Sequence, residues 1–521
     1  MNHIKNLLEG ISTISFNVKI DAITNDSRAV TKNTLFLAFP GVRVDAREHI
    51  SEAIVQGASA ILYENKDGFT YSHESIPCVG ILDLKNKQSI IAARFYNFPG
   101  KKIPIIGVTG TNGKTSITQF IAQALPVAHQ SMRAASITSD QPVQTVRVTS
   151  AQPVRAASVA SDFLQYARTG IIGTLGYGFP PYLKKLPNTT PDSLQLQKIF
   201  AELIDQGATT IAMEVSSHGL AENRVENIDF HTAVFTNLTQ DHLDFHGTMD
   251  NYRDAKALLF QKPGLKNAVI NIDDDTGKYF AEKYREQLKI ITYSKNNKNA
   301  DIFVINKKST DIGFDLTLQT PWGQGDCFLP LIGDFNIDNA LAVLGVLGLH
   351  LSAPLPMLLK AISQLKAVSG RMQLLKLNYS PSVIIDYAHT PDALEKVLAH
   401  VRAHCSGKLF CVFGCGGNRD KTKRPKMGAI AAKFCDEIII TNDNPRNEDP
   451  ETIAKEIAVV IDKHYEIELN RVKAIEKTLE KAGKNDWVVI AGKGHETDQV
   501  IGDDVLHHND AECALNFLKT H

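Results

Sequence analysis

The feature that most constrains the fold is a glycine-rich segment, Gly107-Val108-Thr109-Gly110-Thr111-Asn112-Gly113-Lys114-Thr115-Ser116. It follows the apolar run 103–108 and precedes a helix-like stretch, 117–124. Backbone N–H groups of such a loop, aided by the N-terminus of the following helix, bind phosphate oxygens. Lys114 would contact the β and γ oxygens of a nucleotide, and the Thr115 hydroxyl would bind Mg²⁺. The segment therefore predicts a strand, a phosphate-binding loop and a helix in a parallel sheet.

The segment departs from the strict pattern G-x-x-x-x-G-K-[ST]. Val108 stands where the first glycine belongs, and glycines occupy positions 107 and 110 instead. A tight strand-to-helix turn without a ligand is the alternative, but a Gly-Lys-Thr ending between a strand and a helix favours a nucleotide site. A GTP-specific switch protein needs an Asn-Lys-x-Asp segment, and Asn237-Leu238-Thr239-Gln240-Asp241 carries leucine in place of that lysine.

The length, charge and cysteine content of the chain exclude several classes of protein. The chain has 521 residues, enough for three to four domains of about 150 residues each. Its 56 Lys and Arg against 57 Asp and Glu argue against a nucleic-acid-binding protein, which would carry a basic excess. The first residues begin no secretory signal, so we expect a cytoplasmic protein that does not bind membranes. Seven cysteines are too sparse for a disulfide framework, and Cys411 and Cys415 lack the second pair that zinc would need.

The order of strand and helix patterns predicts an α/β fold with three domains. Residues 1–101 form a small mixed α/β domain, with a strand at 34–39 and a helix at 50–56. Residues 102–369 form the central phosphate-loop domain with a parallel sheet, and residues 370–521 form a C-terminal, Rossmann-like doubly wound domain. The apolar stretch 340–359 contains His350 and two prolines, which favours a buried helix over a membrane span.

Four strands predicted in the last domain each end in a polar or glycine-rich segment. The strands cover 383–386, 409–413, 437–441 and 487–491, and the segments are Asp386-Tyr387-Ala388-His389, Gly414 to Asp420, Asn442-Asp443-Asn444-Pro445-Arg446 and Gly492-Lys493-Gly494-His495-Glu496. In open α/β sheets the ligand lies beyond the carboxyl ends of the strands. The four segments together therefore predict a binding site.

One segment does not fit the alternation of strands and helices. The sequence Arg133-Ala134-Ala135-Ser136-Ile137-Thr138-Ser139-Asp140 returns 22 residues later as Arg155-Ala156-Ala157-Ser158-Val159-Ala160-Ser161-Asp162. A local duplication is the simplest account. The segment 127–166 has few large apolar residues to bury. We therefore predict that it forms a solvated, mobile insertion in the central domain without a function of its own.

Three further residues point to a metal site beside the nucleotide. Glu214 ends the apolar strand 210–213, His242 lies in a polar segment, and Lys256 lies in a helical stretch. A carboxylate and a histidine beyond strand ends can hold Mg²⁺ near a γ-phosphate. Each of these residues taken alone is more often structural.

Taken together, these segments resemble the Mur ligase family, and within it the members that add diaminopimelate in peptidoglycan synthesis. The resemblance covers nearly the whole chain except about 127–166. It is carried by Gly110 to Thr115, Glu214 to Leu220, Thr236 to His246, Gly333-Asp334-Phe335-Asn336, Gly370-Arg371-Met372, Asp386 to Asp392, Gly414 to Gly428, Asp443 to Arg446 and Gly492 to Glu496. It implies three domains, which bind a UDP-sugar, ATP and an amino acid respectively, in a monomer.

The resemblance implies an ATP-dependent amide ligase with Mg²⁺ as cofactor. ATP would phosphorylate the γ-carboxylate of UDP-N-acetylmuramoyl-L-alanyl-D-glutamate (UDP-MurNAc-L-Ala-D-Glu), and the amine of meso-2,6-diaminopimelate would displace the phosphate. The implied catalytic residues are Lys114, Glu214, His242 and Lys256, with one Mg²⁺ on Thr115 and Glu214 and another on His242 and Lys256. An ammonium cannot ligate a metal, so Lys256 would be carbamylated by CO₂, which requires its amine, of ordinary pKa ~10.4, to be neutral.

The resemblance also implies three groups of binding residues. ATP would contact Gly110, Thr111, Asn112, Gly113, Lys114, Thr115, Ser116, Asn336, Arg371 and His389. The muropeptide would contact Ser27, Asn188, Thr189, Thr190, Ser216 and Arg224, although Val42-Arg43-Val44 and Glu222 depart from the pattern of many relatives. Diaminopimelate would contact Arg419, Asp443, Asn444, Pro445, Arg446, Gly492 and Glu496.

Arg446 is the residue that would select diaminopimelate over lysine. Diaminopimelate differs from lysine by one carboxylate, and a planar guanidinium binds a carboxylate through two parallel hydrogen bonds. A surface ion pair of Arg446 with Glu448 or Asp449 is the alternative. Three rival functions stay open: a lysine-adding ligase, a folylpolyglutamate-type ligase, and a catalytically decayed phosphate-loop binding protein.

Overall fold

The computed structural model describes residues 2–41, 44–138, 167–310, 312–377 and 380–520, with the backbone alone for 133–138. Three sheets built mainly of parallel strands follow one another along the chain, each covered by helices. The predicted α/β class is confirmed. Residues 139–166, which hold most of the predicted insertion, lie outside the described residues, as do Val42 and Arg43.

The N-terminal unit is built on a four-stranded parallel sheet. Its strands, in spatial order, are Ala22–Thr24, Thr34–Ala38, Ala58–Glu64 and Cys78–Ile81. Its helices are Ile4–Leu7, Ile50–Val55 and Leu84–Phe95, and Asn2–His3 pairs with Lys19–Ile20. The strand and helix predicted at 34–39 and 50–56 are confirmed to within one residue at their ends.

The central unit holds an eleven-stranded sheet whose middle seven strands are parallel. The spatial order is Tyr182–Lys184, Gly176–Phe179, Thr169–Gly173, Thr210–Glu214, Ile105–Thr109, Phe230–Phe235, Asn267–Asn271, Lys289–Ser294, Ile302–Thr310, Gly313–Thr320 and Gly323–Leu329. The two strands at each edge pair antiparallel. Ile105–Thr109 lies inside the sheet and is buried along its length, which explains its unbroken apolar sequence.

The helices of the central unit correct two predictions. They are Lys114–Thr138, Ser193–Asp205, Ser217–Ala221, Leu243–His246, Met249–Ala257, Asp275–Tyr284, Phe335–His350 and Leu355–Ile362. The helix after the phosphate loop continues well past residue 124. Ala128 is fully buried in the core, so a solvated insertion beginning at residue 127 is wrong for this first part.

The second correction concerns the apolar stretch 340–359, which forms parts of two helices. The first helix ends at His350, and the second begins after Pro354. A proline cannot continue a preceding helix, because it lacks the N–H and its ring clashes with the previous turn. Within the described ranges, no helix combines the length and apolarity needed to cross a bilayer.

The C-terminal unit holds a six-stranded sheet with one antiparallel edge strand. The order is Gln373–Leu375, Ser382–Asp386, Trp487–Ala491, Leu409–Phe413, Glu437–Ile440 and Tyr465–Ile467. The helices are Pro391–His404, Lys423–Phe434, Pro450–Ala458, Arg471–Lys481 and Asp510–Thr520, and Asp498–Ile501 forms a hairpin with Asp504–His507. Because four of the parallel strands match the predicted ones, the polar segments lie at their carboxyl ends.

Candidate active site

The phosphate loop is fixed by residues from the neighbouring strand end. Gly110 has φ 145° and Gly113 has φ 88°, values that side chains disfavour. A Cβ on Gly110 would lie 1.8 Å from Thr236 Oγ1. Thr236 Oγ1 donates to Asn112 O at 2.6 Å, and Asn112 N donates to Asn237 Oδ1 at 3.0 Å. The loop is therefore held in place by the segment that follows strand Phe230–Phe235.

Two lysines meet at the carbonyl of Gly110. Lys114 Nζ donates to Gly110 O at 2.9 Å and to Thr111 O at 2.8 Å, and Lys256 Nζ donates to Gly110 O at 2.9 Å. Lys256 is only 1% exposed. Burial, and then the positive charge of Lys114, holds the pKa of Lys256 well below its ordinary value, against an opposing effect of Asp241. The Lys256 amine is thus driven towards the neutral form that reacts with CO₂.

Glu214 and Thr115 form an oxygen-rich pair beside the loop. Thr115 Oγ1 donates to Glu214 Oε2 at 3.0 Å, and Thr174 donates to the same carboxylate through its N at 2.8 Å and its Oγ1 at 3.1 Å. Both Glu214 and Thr115 are buried. Carboxylate and hydroxyl oxygens are the ligands that Mg²⁺ prefers, so this pair fits a magnesium ion.

His242 follows the strand Phe230–Phe235 and lies next to Asp241 in sequence. Its Nε2 is 3.3 Å from Asp241 Oδ2, and its ring centroid is 4.8 Å from that of His218. Desolvation, together with His218 and the two lysines, lowers the pKa of His242, although Asp241 acts in the opposite direction. A neutral imidazole can donate its lone pair to a metal.

Among the described residues, no ready-made cluster of three or more His, Cys, Asp or Glu side chains surrounds a metal position. Mg²⁺ is usually held by one or two protein carboxylates while phosphates and water supply its other ligands. The Thr115–Glu214 pair is therefore consistent with an ion that is bound together with a nucleotide.

A cleft of about 840 Å³ separates the central and C-terminal units and contains the loop. Arg371 enters it from the junction of the units, where its Nη2 donates to Thr115 Oγ1 at 3.3 Å and its guanidinium lies 4.4 Å from the ring centroid of Tyr387. The buried Nε of Arg371 has no partner in the described part of the chain. His389 also lines the cleft, and burial lowers its pKa. Both residues therefore face the space that a nucleotide would fill.

Asn336 lies behind the cleft wall rather than in it. Its Nδ2 donates to Ile332 O at 2.8 Å, and its Oδ1 accepts a hydrogen bond from Asn339 Nδ2 at 2.9 Å. The residue that lines the cleft is Asn339, one helical turn further on. A Cβ on Gly113 would lie 2.7 Å from Asn339 Oδ1, which places Asn339 directly against the phosphate loop.

The segments predicted to bind diaminopimelate converge in the C-terminal unit. Asn444 Nδ2 donates to Glu496 Oε2 at 2.9 Å, and a Cβ on Gly492 would lie 2.7 Å from Asp443 Oδ2. Pro445 O packs against Gly417, and Arg419 and Arg446 flank Gly416, with Arg419 exposed. The set predicted from the sequence is therefore brought together around the loop 443–446.

Arg446 is held by carbonyl groups and not by an acid. Its Nη1 donates to Gly417 O at 2.9 Å and to Asn444 O at 3.3 Å. In the described ranges no carboxylate lies within ion-pairing distance of Arg446. Glu448 pairs with Lys421 and Arg424 instead, and Asp449 caps the helix Pro450–Ala458. The alternative of an Arg446 ion pair with Glu448 or Asp449 is therefore wrong.

Comparison with known proteins decides the family. Three family models match: Mur ligase family, catalytic domain, at residues 19–87; Mur ligase middle domain at 155–347; and Mur ligase, glutamate ligase domain, at 370–494. A protein of Coxiella burnetii named UDP-N-acetylmuramoyl-L-alanyl-D-glutamate--2,6-diaminopimelate ligase is 45% identical over 511 residues, which is 97% of each chain. The chain belongs to the Mur ligase family.

Other comparisons are consistent with this family assignment. A protein of the same name from Pseudomonas aeruginosa is 42% identical and covers 94% of this chain and 92% of its own length. A solved structure of such a ligase aligns with TM-score 0.66 at 31% identity, covering 100% of this chain and 99% of that chain. MurF from Acinetobacter baumannii, with TM-score 0.64 at 16% identity over 94% of each chain, shares the fold.

In this Mur ligase, three of the predicted muropeptide residues form one hydrogen-bonded group next to Glu214. Thr190 Oγ1 donates to Glu214 O at 2.9 Å, Ser216 N donates to Thr190 Oγ1 at 2.9 Å, and Arg224 Nη1 donates to Thr190 O at 2.8 Å. The other three predicted muropeptide residues do not belong to this hydrogen-bonded group. Thr189 contacts Thr174, Asn188 is exposed, and Ser27 belongs to the N-terminal unit, where its Oγ donates to Glu52 Oε2.

Several site residues of this Mur ligase were not singled out from the sequence. Thr174 donates to Glu214, and Asn339 lies against Gly113 of the phosphate loop. Tyr252 OH lies 3.2 Å from Thr111 Oγ1. Asn339 could have been suspected, because it lies three residues after Asn336 and so on the same helix face. Nothing in the local sequence marks Thr174, since its role depends on the pairing of distant strands.

Proposed function

We propose that this Mur ligase joins meso-2,6-diaminopimelate to UDP-MurNAc-L-Ala-D-Glu with ATP, as a cytoplasmic monomer in peptidoglycan synthesis. The observation that carries the proposal is the Arg446 guanidinium, which donates to the carbonyls of Gly417 and Asn444 and lacks an acidic partner in the described chain. A guanidinium held in place by carbonyls is suited to a substrate carboxylate. Glu496 supplies the opposite charge, which suits a substrate ammonium. Diaminopimelate carries both groups at each end.

The reaction needs an activated acyl group, since a carboxylate is a poor acyl donor in water. The γ-carboxylate of the D-glutamate end attacks the γ-phosphorus of ATP, and ADP leaves. The diaminopimelate amine then attacks the resulting acyl phosphate, loses a proton, and phosphate leaves as the amide forms. Lys114 and Arg371, which both face the cleft, bind the phosphate oxygens and balance their negative charge as it shifts.

Mg²⁺ is the proposed cofactor, and it would supply positive charge that neutralises the β- and γ-phosphates. Thr115 and Glu214 would hold one ion, and His242 and the carbamylated Lys256 would hold a second. The buried Glu214 carboxylate supports the first site, and the lowered pKa of Lys256 supports its conversion to a carbamate. The remaining loop residues, with His389 and Asn339, would contact ATP.

The three substrates are proposed to meet between three domains with bounds 1–101, 102–369 and 370–521. The first would bind the UDP-sugar through residues such as Ser27. The group Thr190, Ser216 and Arg224 would bind the peptide end close to Glu214, so that the D-glutamate carboxylate lies near the ATP phosphates. Glu222 departs from the family pattern, and its Oε2 accepts a hydrogen bond from Arg224 Nε at 2.8 Å.

A phosphate-release panel tests the function. The purified full chain is incubated with UDP-MurNAc-L-Ala-D-Glu, MgATP and one of meso-diaminopimelate, lysine or glutamate, and the product is identified by mass spectrometry. We expect amide product with diaminopimelate alone. A preference for lysine would overturn the assignment of the amino acid, and phosphate release that needs no muropeptide would overturn the ligase reaction.

A further inference from the structure

Lys493 lies at the centre of a hydrogen-bonded ring that links the two loops of the amino-acid site. Its side chain is 0% exposed. Its Nζ donates to Asn444 Oδ1 at 3.1 Å, to Glu496 Oε2 at 2.9 Å and to Asp498 O at 2.7 Å. An ammonium has three protons, so these three acceptors use its whole donor capacity. Lys493 therefore has no hydrogen-bond donor left for a substrate.

Asn444 and Glu496 close the ring. Asn444 Nδ2 donates to the same Glu496 Oε2 at 2.9 Å, and Val500 N donates to Asn444 Oδ1 at 3.0 Å. The amide of Asn444 is thus fixed in one orientation, with its oxygen towards two donors and its nitrogen towards the carboxylate. Both donors bind Oε2 of Glu496, while 31% of the Glu496 side chain stays exposed and open to a cationic ligand.

We infer that Lys493 is a positioning residue for the incoming amino acid, which orients Asn444 and Glu496 towards it. This inference rests on the proposed function. Burying an ammonium is unfavourable unless hydrogen bonds and an opposite charge offset the lost hydration, and Asn444, Glu496 and the Asp498 carbonyl provide both. Without the ammonium, the Glu496 carboxylate loses its charged donor and can rotate away from the substrate ammonium.

Lys493 is separate from the phosphate site. Its contacts all lie in the segments 442–446 and 492–501, and none of its partners lines the nucleotide cleft. Loss of its ammonium should therefore change the KM for diaminopimelate while the KM for ATP stays the same. A general structural role would change both.

The test uses steady-state kinetics of the full chain with Lys493→Met and Lys493→Gln. Lys433→Met is the control, because Lys433 donates to Glu395 at 2.8 Å on the exposed surface of the same unit. Wild type must first show diaminopimelate-dependent phosphate release, and its absence would be a failure of the proposed function alone. We expect Lys493→Met to raise the KM for diaminopimelate about tenfold or more, with kcat within about threefold and an unchanged KM for ATP. Glutamine keeps two N–H donors, so it should fall between methionine and lysine.

Three results would overturn the inference. One is an unchanged KM for diaminopimelate in a Lys493→Met protein that melts like wild type. Another is an equal rise in the KM for ATP, and the third is a failure of both variants to fold. If Lys493→Met does not fold, Lys493→Gln decides by the same criteria, and loss of folding in both variants would give Lys493 a purely structural role.

Discussion

Asn112 Nδ2 donates a hydrogen bond to Asp392 Oδ2 at 3.0 Å, and this contact joins the phosphate loop to the C-terminal unit. Asp392 lies in the first turn of the helix Pro391–His404, and the same oxygen accepts a hydrogen bond from Lys396 at 2.9 Å. Residues of both units line the cleft, so the cleft is complete only while the two units are in contact. The contact therefore links the position of the C-terminal unit to the geometry of the phosphate loop.

A double-mutant cycle with Asn112→Ala and Asp392→Ala should detect this link. Each substitution should raise the KM for ATP, and the pair should show a coupling free energy of about 1.5–3 kcal/mol, typical of a hydrogen bond to a charged group. Glu395→Ala is the control, since Glu395 lies on the same helix, pairs with the exposed Lys433 and does not line the cleft. If Glu395→Ala matches Asp392→Ala, the effect comes from the helix and not from the loop contact.

Carbamylation of Lys256 should make activity depend on dissolved CO₂. Because burial and Lys114 lower the Lys256 pKa, the reactive neutral amine is present above that lowered value and is lost as the pH falls through it. Removal of bicarbonate should reduce phosphate release severalfold, and its return should restore it. With ¹³C-bicarbonate, NMR should show a carbamate signal that Lys256→Gln abolishes. Lys262→Gln is the control, since Lys262 is ion-paired with Glu226, and loss of the signal there would contradict the assignment.

Substitution of Arg446 should alter amino-acid binding alone. We expect Arg446→Ala to raise the KM for diaminopimelate by about tenfold to a hundredfold, which corresponds to the loss of a charged hydrogen-bonded pair. Arg446→Lys keeps the charge without the planar fork and should recover part of the loss. The KM for ATP should not change. Arg402→Ala, which breaks a surface ion pair with Asp436, is the matched control, and unchanged diaminopimelate kinetics in Arg446→Ala would remove the basis of the assignment.

Local sequence was enough to predict the parts of the site that depend on local structure. The phosphate loop follows from glycines beside Lys114, and the polar strand ends of the C-terminal unit follow from a parallel sheet, in which carboxyl ends share one edge. The contact of Asn112 with Asp392 spans 280 residues, so no local pattern could give it. The length of the helix that begins at Lys114 was also missed, because Ala128 is buried against a helix that lies far away in sequence.

A buried ion pair ties the amino-acid site to the last helix. Arg471 donates to Asp510 through Nε at 2.7 Å and Nη2 at 2.8 Å, and also to Asn442 O at 3.1 Å and Ala491 O at 2.9 Å. Both side chains are fully buried. Burial would raise the pKa of Asp510, but the charge and hydrogen bonds of Arg471, aided by His508, hold it far below its ordinary value.

This pair should set the acid stability of the C-terminal unit. A carboxyl with a lowered pKa in the folded state contributes stability in full above its ordinary pKa of about 3.9, and that contribution is lost as the pH falls towards the lowered value. Arg471→Met should cost about 3–5 kcal/mol near pH 7, because it leaves a buried charge unpaired. Without Arg471, burial raises the pKa of Asp510, so the carboxyl takes up a proton above its ordinary pKa and the loss should shrink as the pH falls towards ~4. Hydrogen exchange of the amides in Trp487–Ala491 measures the local stability of the C-terminal unit. A local measurement is needed because a multidomain chain does not have a single free energy of unfolding. The double variant Arg471→Met, Asp510→Leu should regain most of the stability, whereas a double variant as unstable as Arg471→Met would show that packing, and not the unpaired charge, causes the loss.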